Sequence, residues 1–181
     1  MGRVFRITAL ALALAATASP SAFTQDLSGE VAPGKALDLG FDGLTGTKFK
    51  IYTAHGFTVK RVTRGWDVQT GYGNPAPMIA FNIPTDTIVS EAVTVTEAGK
   101  QFSLDSVDVY SSLAPVKWEF VGKLAGQTIY KDKGHAPNPM GGFETVPNPD
   151  AATPVDTVEL RITSVGAAEN SMGIDNIIVE K

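Results

Sequence analysis

Three groups of residues have the types and spacing that chemistry needs. The first is aromatic. Trp66 stands between Gly65 and Asp67, and Gly71-Tyr72-Gly73-Asn74-Pro75 follows a few positions on. An aromatic ring held on a glycine-rich loop can stack on the apolar face of a sugar, while nearby Asp, Asn and His side chains bond its hydroxyls. On that chemistry Trp66, Asp67, Tyr72, Asn74 and His55 form the expected ligand-binding set. The competing reading makes Trp66 a cap on one end of a hydrophobic core.

The second group is acidic. Asp38-Leu39-Gly40-Phe41-Asp42-Gly43 lies near the entrance to the domain, and Ile174-Asp175-Asn176-Ile177 near its end. If the first and last strands are neighbours, the two segments meet. Carboxylates beside turn carbonyls suit a hard cation such as Ca²⁺, which takes about six to eight oxygen ligands. The alternative is that Asp175 and Asn176 bond nearby backbone N–H groups at a strand or turn boundary. The third group is the two histidines, His55 and His135, far apart in the chain. A hydrolase or lyase would have to pair one of them with a carboxylate. There is no G-x-S-x-G, phosphate loop, H-E-x-x-H or dinucleotide fingerprint to support that. Solvent-exposed loop histidines are the plainer reading.

These residues must be positioned by strands. Val116, Trp118 and Phe120 alternate with Lys117 and Glu119, and Val158, Leu160 and Ile162 alternate with Glu159 and Arg161. Phe49 and Ile51 alternate with Lys48 and Lys50 in the same way. Alternation of this kind turns one face to a core and the other to water. On it, Trp118 is a core residue, and Tyr110 and Tyr130 are flanking or half-buried. Ile88 to Thr96 is rich in Val and Thr, which suits a pleated strand. Phe102 and Leu104 share one phase and Val107 and Val109 the other, so a β-bulge is expected near Ser106. No stretch has a helical period. Turn chemistry at 40–46, 71–77, 122–126, 134–142 and 147–154 divides the chain into about nine to eleven short strands. The expected fold is all-β, an antiparallel β-sandwich of jelly-roll type. The segment 131–150 has the weakest pattern and reads as a long loop.

Composition narrows the setting. The chain has 181 residues, with 43% hydrophobic and 19% charged, which describes a globular protein. There is no cysteine, so disulfides, thiolate metal sites, cysteine nucleophiles and an acylated lipoprotein anchor are all excluded. A net charge of −4 without a basic run makes nucleic acid an unexpected partner. Arg3 and Arg6, the apolar run Ile7 to Ala16 and the small residues Ala16-Thr17-Ala18 read as an export signal over residues 1–22. Cleavage is expected after Ala18 or Ala22, leaving a single domain at 23–181. The apolar run is about half the length a membrane-spanning helix needs. The expected product is secreted or periplasmic, with no membrane segment once the signal is gone.

Three segments taken together resemble the galactose-binding-like jelly rolls of bacterial exported proteins and carbohydrate-binding modules. They are Phe102 to Ser111, Pro115-Val116-Lys117-Trp118-Glu119-Phe120-Val121-Gly122, and Met172-Gly173-Ile174-Asp175-Asn176-Ile177. The resemblance spans about Phe41 to Val179, and its sharpest element is the closing Gly-Ile-Asp-Asn-Ile. It implies a sandwich fold and a structural Ca²⁺ site, with Asp175 as the first metal ligand and Asp42 as a weaker one. Carbohydrate is the partner it implies. The leading expectation is a secreted, non-catalytic protein that binds carbohydrate at a cell surface or in an extracellular matrix. A structural or adhesive protein that binds another protein, and a carboxylate/His hydrolase or lyase, are the alternatives. Oligomeric state is left open.

Overall fold

The structure is a computed structural model that describes residues 34–137, 141–165 and 169–181. The export signal expected over residues 1–22 lies outside the described residues. Twelve strands form two six-stranded antiparallel sheets. The first sheet contains β1 (Ala36–Leu39), β4 (Asp67–Gln69), β5 (Met78–Ile83), β7 (Ser103–Ser111), β10 (Phe143–Pro147) and β12 (Asn170–Glu180). Its order is β10-β7-β12-β5-β4, and β1 pairs with the far half of β12. The second sheet contains β2 (Ile51–Ala54), β3 (Phe57–Arg61), β6 (Ser90–Glu97), β8 (Val116–Leu124), β9 (Gln127–Ala136) and β11 (Thr157–Ser164). Its order is β2-β3-β6-β11-β8-β9. This is the all-β sandwich expected from the alternation. Among the described residues no helix is long and apolar enough to cross a membrane.

Strand period two builds the core. Val158, Leu160 and Ile162 of β11 are buried against Leu104, Val107 and Val109 of β7 and Ile174, Ile177 and Val179 of β12 in one cluster. Phe41, Phe49, Phe57, Phe81, Phe102 and Phe120 fill it, several in edge-to-face pairs that suit the ring quadrupole. Trp118 is half-buried and stacks on Phe120 with centroids 4.8 Å apart. Its ring lies across Gly134 on the paired strand, where an added Cβ would come within 2.5 Å of it. The phase slip in β7 is real. Ser106 pairs with Ile178 but Leu104 with Val179, so Asp105 is an extra residue there. A second irregularity sets Asn176 outside the ladder, at φ 40°.

Two expectations need correction. Phe49 is buried, but Ile51 is 54% exposed, because β2 begins only at Ile51 and Phe49 belongs to the segment before it. The segment 131–150 is not one long loop. It holds the end of β9 and all of β10, both at sheet edges. An edge strand packs fewer side chains, so its apolar alternation is thin and Lys131, Lys133 and His135 stand exposed along it.

Candidate functional site

The outer face of the first sheet carries the arrangement most able to hold a ligand. Each row across the sheet follows from register. Phe143 pairs with Tyr110, Tyr110 with Gly173, Gly173 with Ala80, and Ala80 with Asp67. Tyr110 points outward because the extra residue at Asp105 shifts the phase of β7, leaving Val107 and Val109 in the core. Gly173 and Ala80 keep the floor low beside it. A Cβ on Gly173 would come within 2.7 Å of the Ile79 carbonyl and 3.3 Å of Met78 Sδ, so no larger residue fits.

The loop between β4 and β5 brings a second ring over this floor. Tyr72 is 56% exposed, and its centroid lies 5.8 Å from that of Tyr110, which in turn lies 5.4 Å from Phe143. The loop turns back on itself at Gly73, φ 151°, where a Cβ would sit 2.4 Å from Ala76 Cα. Its Asn74–Pro75 and Ala76–Pro77 peptide bonds are cis. Tyr72 and Tyr110 then line a cleft of about 310 Å³ with Gln69, Met78, Asn82 and Ser171. Two amides, a hydroxyl, two phenols and no cation make this a neutral, hydrogen-bonding cleft with aromatic walls. Burial, and then the neighbouring Tyr72, push the Tyr110 phenol above its ordinary value.

Next to the cleft lies a buried acidic and amide network that ties the loop to the sheet. Asp175 and Asp108 are paired across β12 and β7 and both are buried. Asp175 accepts the Asn74 backbone N–H at 2.7 Å on one carboxylate oxygen and the Asn176 backbone N–H at 3.0 Å on the other. The Asn176 amide donates to the Asn74 carbonyl at 2.6 Å and to Asp108 at 2.9 Å. Thr145 and the Asn74 amide also donate to Asp108. Burial pushes the Asp175 carboxyl up to about 7. The two backbone hydrogen bonds oppose the shift, and Asp38 and Asp108 add to it. Burial and then Asp108 and Asp42 raise Asp38 as well.

The segments around Asp38 and Asp175 do come together, since Asp38 pairs with Ile178 and Leu39 with Ile177. The oxygens gathered there can be set against what a hard cation requires. Among the described residues Asp38, Asp108 and Asp175 form no ion pair. Asn176 Oδ1 is buried without a partner, and a Cβ on Gly40 would lie 3.1 Å from that oxygen and 3.4 Å from Asp38 Oδ1. The donors are all oxygens, which fits Ca²⁺. Among the described residues no three His, Asp or Glu side chains converge closely enough to hold a metal alone, so amide and backbone oxygens would have to complete the shell. Asp42 lies exposed in the turn after Phe41, and its effect on the group is through its charge on Asp38.

The expected ligand set is therefore dispersed. Trp66 is fully buried. Its indole N–H donates to the Ala92 carbonyl at 3.1 Å, and its ring meets Phe81 edge-on, so it cannot reach a ligand. Asp67 is held in an ion pair with Lys48 at the far end of the row. Asn74 is a loop anchor rather than a free amide. His55 is exposed in the β2–β3 turn at φ 54°, a conformation His tolerates better than most residues, and its carbonyl accepts from Lys181. Of the expected set only Tyr72 lines the cleft. Among the described residues neither His55 nor His135, both exposed, is ion-paired to a carboxylate. Tyr110, Phe143, Gln69 and Asn82 were missed. For Tyr110 the signal was present in the phase slip that turns it outward.

No family model and no curated protein matches this chain. Solved structures similar to it include a family 29 carbohydrate-binding module from Piromyces equi, 8% identical over 82% of this chain and 91% of that one, with a TM-score of 0.48. The CBM22-1 xylan-binding domain of Paenibacillus barcinonensis Xyn10C is 14% identical over 81% and 94%, with a TM-score of 0.47. TmCBM61 in complex with β-1,4-galactotriose is 10% identical over 70% and 89%, with a TM-score of 0.44. These three solved structures are carbohydrate-binding modules.

Proposed function

We propose that this is an exported, non-catalytic carbohydrate-binding protein whose site is the cleft between Tyr72 and Tyr110. The observation that carries the reading is one ring from a tied-down loop and one from the sheet, set over a floor of Gly173 and Ala80. Rings so placed offer apolar faces to a pyranose, and Gln69, Asn82 and Ser171 supply hydroxyl partners. The lining has no cation and Asp108 and Asp175 lie next to it, which favours a neutral sugar over a uronate or sulfated one. A structural Ca²⁺ beside Asp175 and Asn176 would neutralise the buried charge and stiffen the loop that carries Tyr72. The leader over residues 1–22 supports export to the periplasm or the medium.

Affinity electrophoresis in gels containing galactan, mannan or xylan tests this. Wild type should be retarded by at least one of them. Tyr72→Ala, an exposed change, should lower affinity by about tenfold, the loss of about 1.4 kcal/mol. Tyr110→Ala should cost more, and Trp66→Phe should cost nothing. Retardation unchanged in Tyr72→Ala and Tyr110→Ala would remove the cleft from the proposal.

A further inference from the structure

The outer face of the second sheet is the opposite of the cleft in charge. Among the described residues, Lys60, Lys117, Lys123, Lys131, Lys133 and Arg161 occupy outward-facing register positions with only two carboxylates, Glu119 and Glu159. The whole chain has 19 acidic and 15 basic residues, so this face reverses the sign of the protein that bears it. Toward the β9 edge it holds a groove of about 540 Å³ across β11, β8 and β9. Lys117 pairs with His135 in one row, and Glu119 lies between Arg161 and Lys133 in the next.

Both carboxylates are already engaged. Glu159 takes Arg161 at 2.6 Å and Lys123 at 3.4 Å, and although burial works against it, these cations hold its carboxyl below the ordinary value. Glu119 pairs with Lys131 at 3.0 Å. Among the described residues Lys117 and Lys133 have no ion pair, and both line the groove. His135 and Thr163 beside them add hydrogen-bonding groups.

We propose that this groove is a second binding site, independent of the aromatic cleft, and that it takes an acidic polysaccharide. The anion is a uronate carboxylate or a sulfate ester, spaced along a chain that crosses the strands. Charge complementarity identifies the ligand class, and the shape narrows it. A concave track suits a chain better than a flat bilayer. Single-stranded nucleic acid binds over aromatic rings that stack its bases. Here the one indole in the lining, Trp118, packs inward on Phe120 and the core, and the remaining ring is the His135 imidazole. Two engaged carboxylates beside two free lysines also give the surface a direction, since anions are drawn to the Lys117–Lys133 end.

Affinity electrophoresis at low salt in gels with polygalacturonate, dextran sulfate or neutral dextran tests the site. Single-stranded DNA and vesicles of anionic lipid serve as competitors. Retardation by either acidic polymer and not by dextran is expected. Uronate-only or sulfate-only retardation tells the two sources apart. The double variant K117E/K133E, both changes at exposed strand positions, should lose the retardation while its thermal midpoint stays near wild type. Tyr72→Ala should keep it, which separates this site from the cleft. Added salt should weaken it, because exposed charges are screened. The proposal is overturned by no retardation in either polymer, by retardation that survives K117E/K133E, or by DNA or vesicles competing as well as the acidic polymers.

Discussion

The two outer faces of the sandwich are built from the same number of strands on one shared core, yet they differ in every property that matters to a ligand. The face on β7, β12 and β5 is partly roofed by a loop, walled by Tyr72, Tyr110 and Phe143, and has Asp108 and Asp175 next to the cleft. The face on β11, β8 and β9 is lined with lysine. The inward positions of both sheets are mostly aliphatic or aromatic and buried, with Glu91 and Glu97 of β6 as buried exceptions. Core packing therefore constrains alternate residues and leaves the others free. In this chain the free set has diverged into a neutral aromatic cleft on one side and a cationic track on the other.

The largest effect expected from any single change lies in the layer both faces share. Trp66 is fully buried, packs on Phe81 and satisfies the Ala92 carbonyl. Trp66→Ala should cost about 3–5 kcal/mol in chemical denaturation, the range for deleting a large core aromatic. Trp66→Phe, which keeps a ring but loses the indole N–H, should cost less and leave binding to either polymer class unchanged. If Trp66→Phe instead abolished sugar retardation at full foldedness, the ring would be acting on the ligand and the comparison of faces would fail.

The next effect belongs to the first face alone. Asp175 has a folded-state pKa of about 7 against an ordinary value of 3.8. The folded chain therefore holds this proton at pH values where the unfolded chain has released it. The sign follows directly. Stability from this group is fully present below about 3.8, and it declines as pH rises through about 7. In chelator the swing in unfolding free energy should approach about 4 kcal/mol in wild type relative to Asp175→Asn, whose profile lacks it. Saturating Ca²⁺ at pH 8 should raise the wild-type thermal midpoint and leave Asp175→Asn unmoved. A midpoint indifferent to both Ca²⁺ and chelator would leave Asp175 as a loop anchor only. Glu119 and Glu159, the carboxylates of the second face among the described residues, are not fully buried, so K117E/K133E should keep the wild-type pH profile.

Much of this contrast was written in the sequence, but unevenly. The alternation in 116–120 and 158–162 sets the sheet faces, because a half-buried strand must repeat every two residues. The slip near Ser106 even announced the bulge that aims Tyr110. Trp66 was misread because Gly65 and Asp67 look like loop chemistry, while the burial of its ring depends on β5 and β6 passing over it. The network around Asp175 needed the loop at Asn74, about a hundred positions away in the chain, to arrive beside it. The cationic track was invisible for the same reason. Lys117 and Arg161 each read as an ordinary solvated strand position and Lys133 as part of a loop, and only the order β11-β8-β9 sets them side by side.

The smallest expected effect tests that side-by-side placement most directly. Glu119 is the one carboxylate in the groove, set between Arg161 and Lys133 and paired with Lys131. Because Lys131 is well exposed, the pair should contribute no more than about 1 kcal/mol to stability. Glu119→Gln removes a negative charge from the track and releases Lys131 at no cost in volume. It should therefore leave the thermal midpoint nearly unchanged and strengthen retardation by acidic polymers about two- to fivefold, within the range of one screened charge at the surface. Retardation by neutral glycans at the other face should not move. An acidic polymer bound less tightly by Glu119→Gln would mean that the carboxylate is a recognition group, and that the groove reads hydroxyls rather than anions.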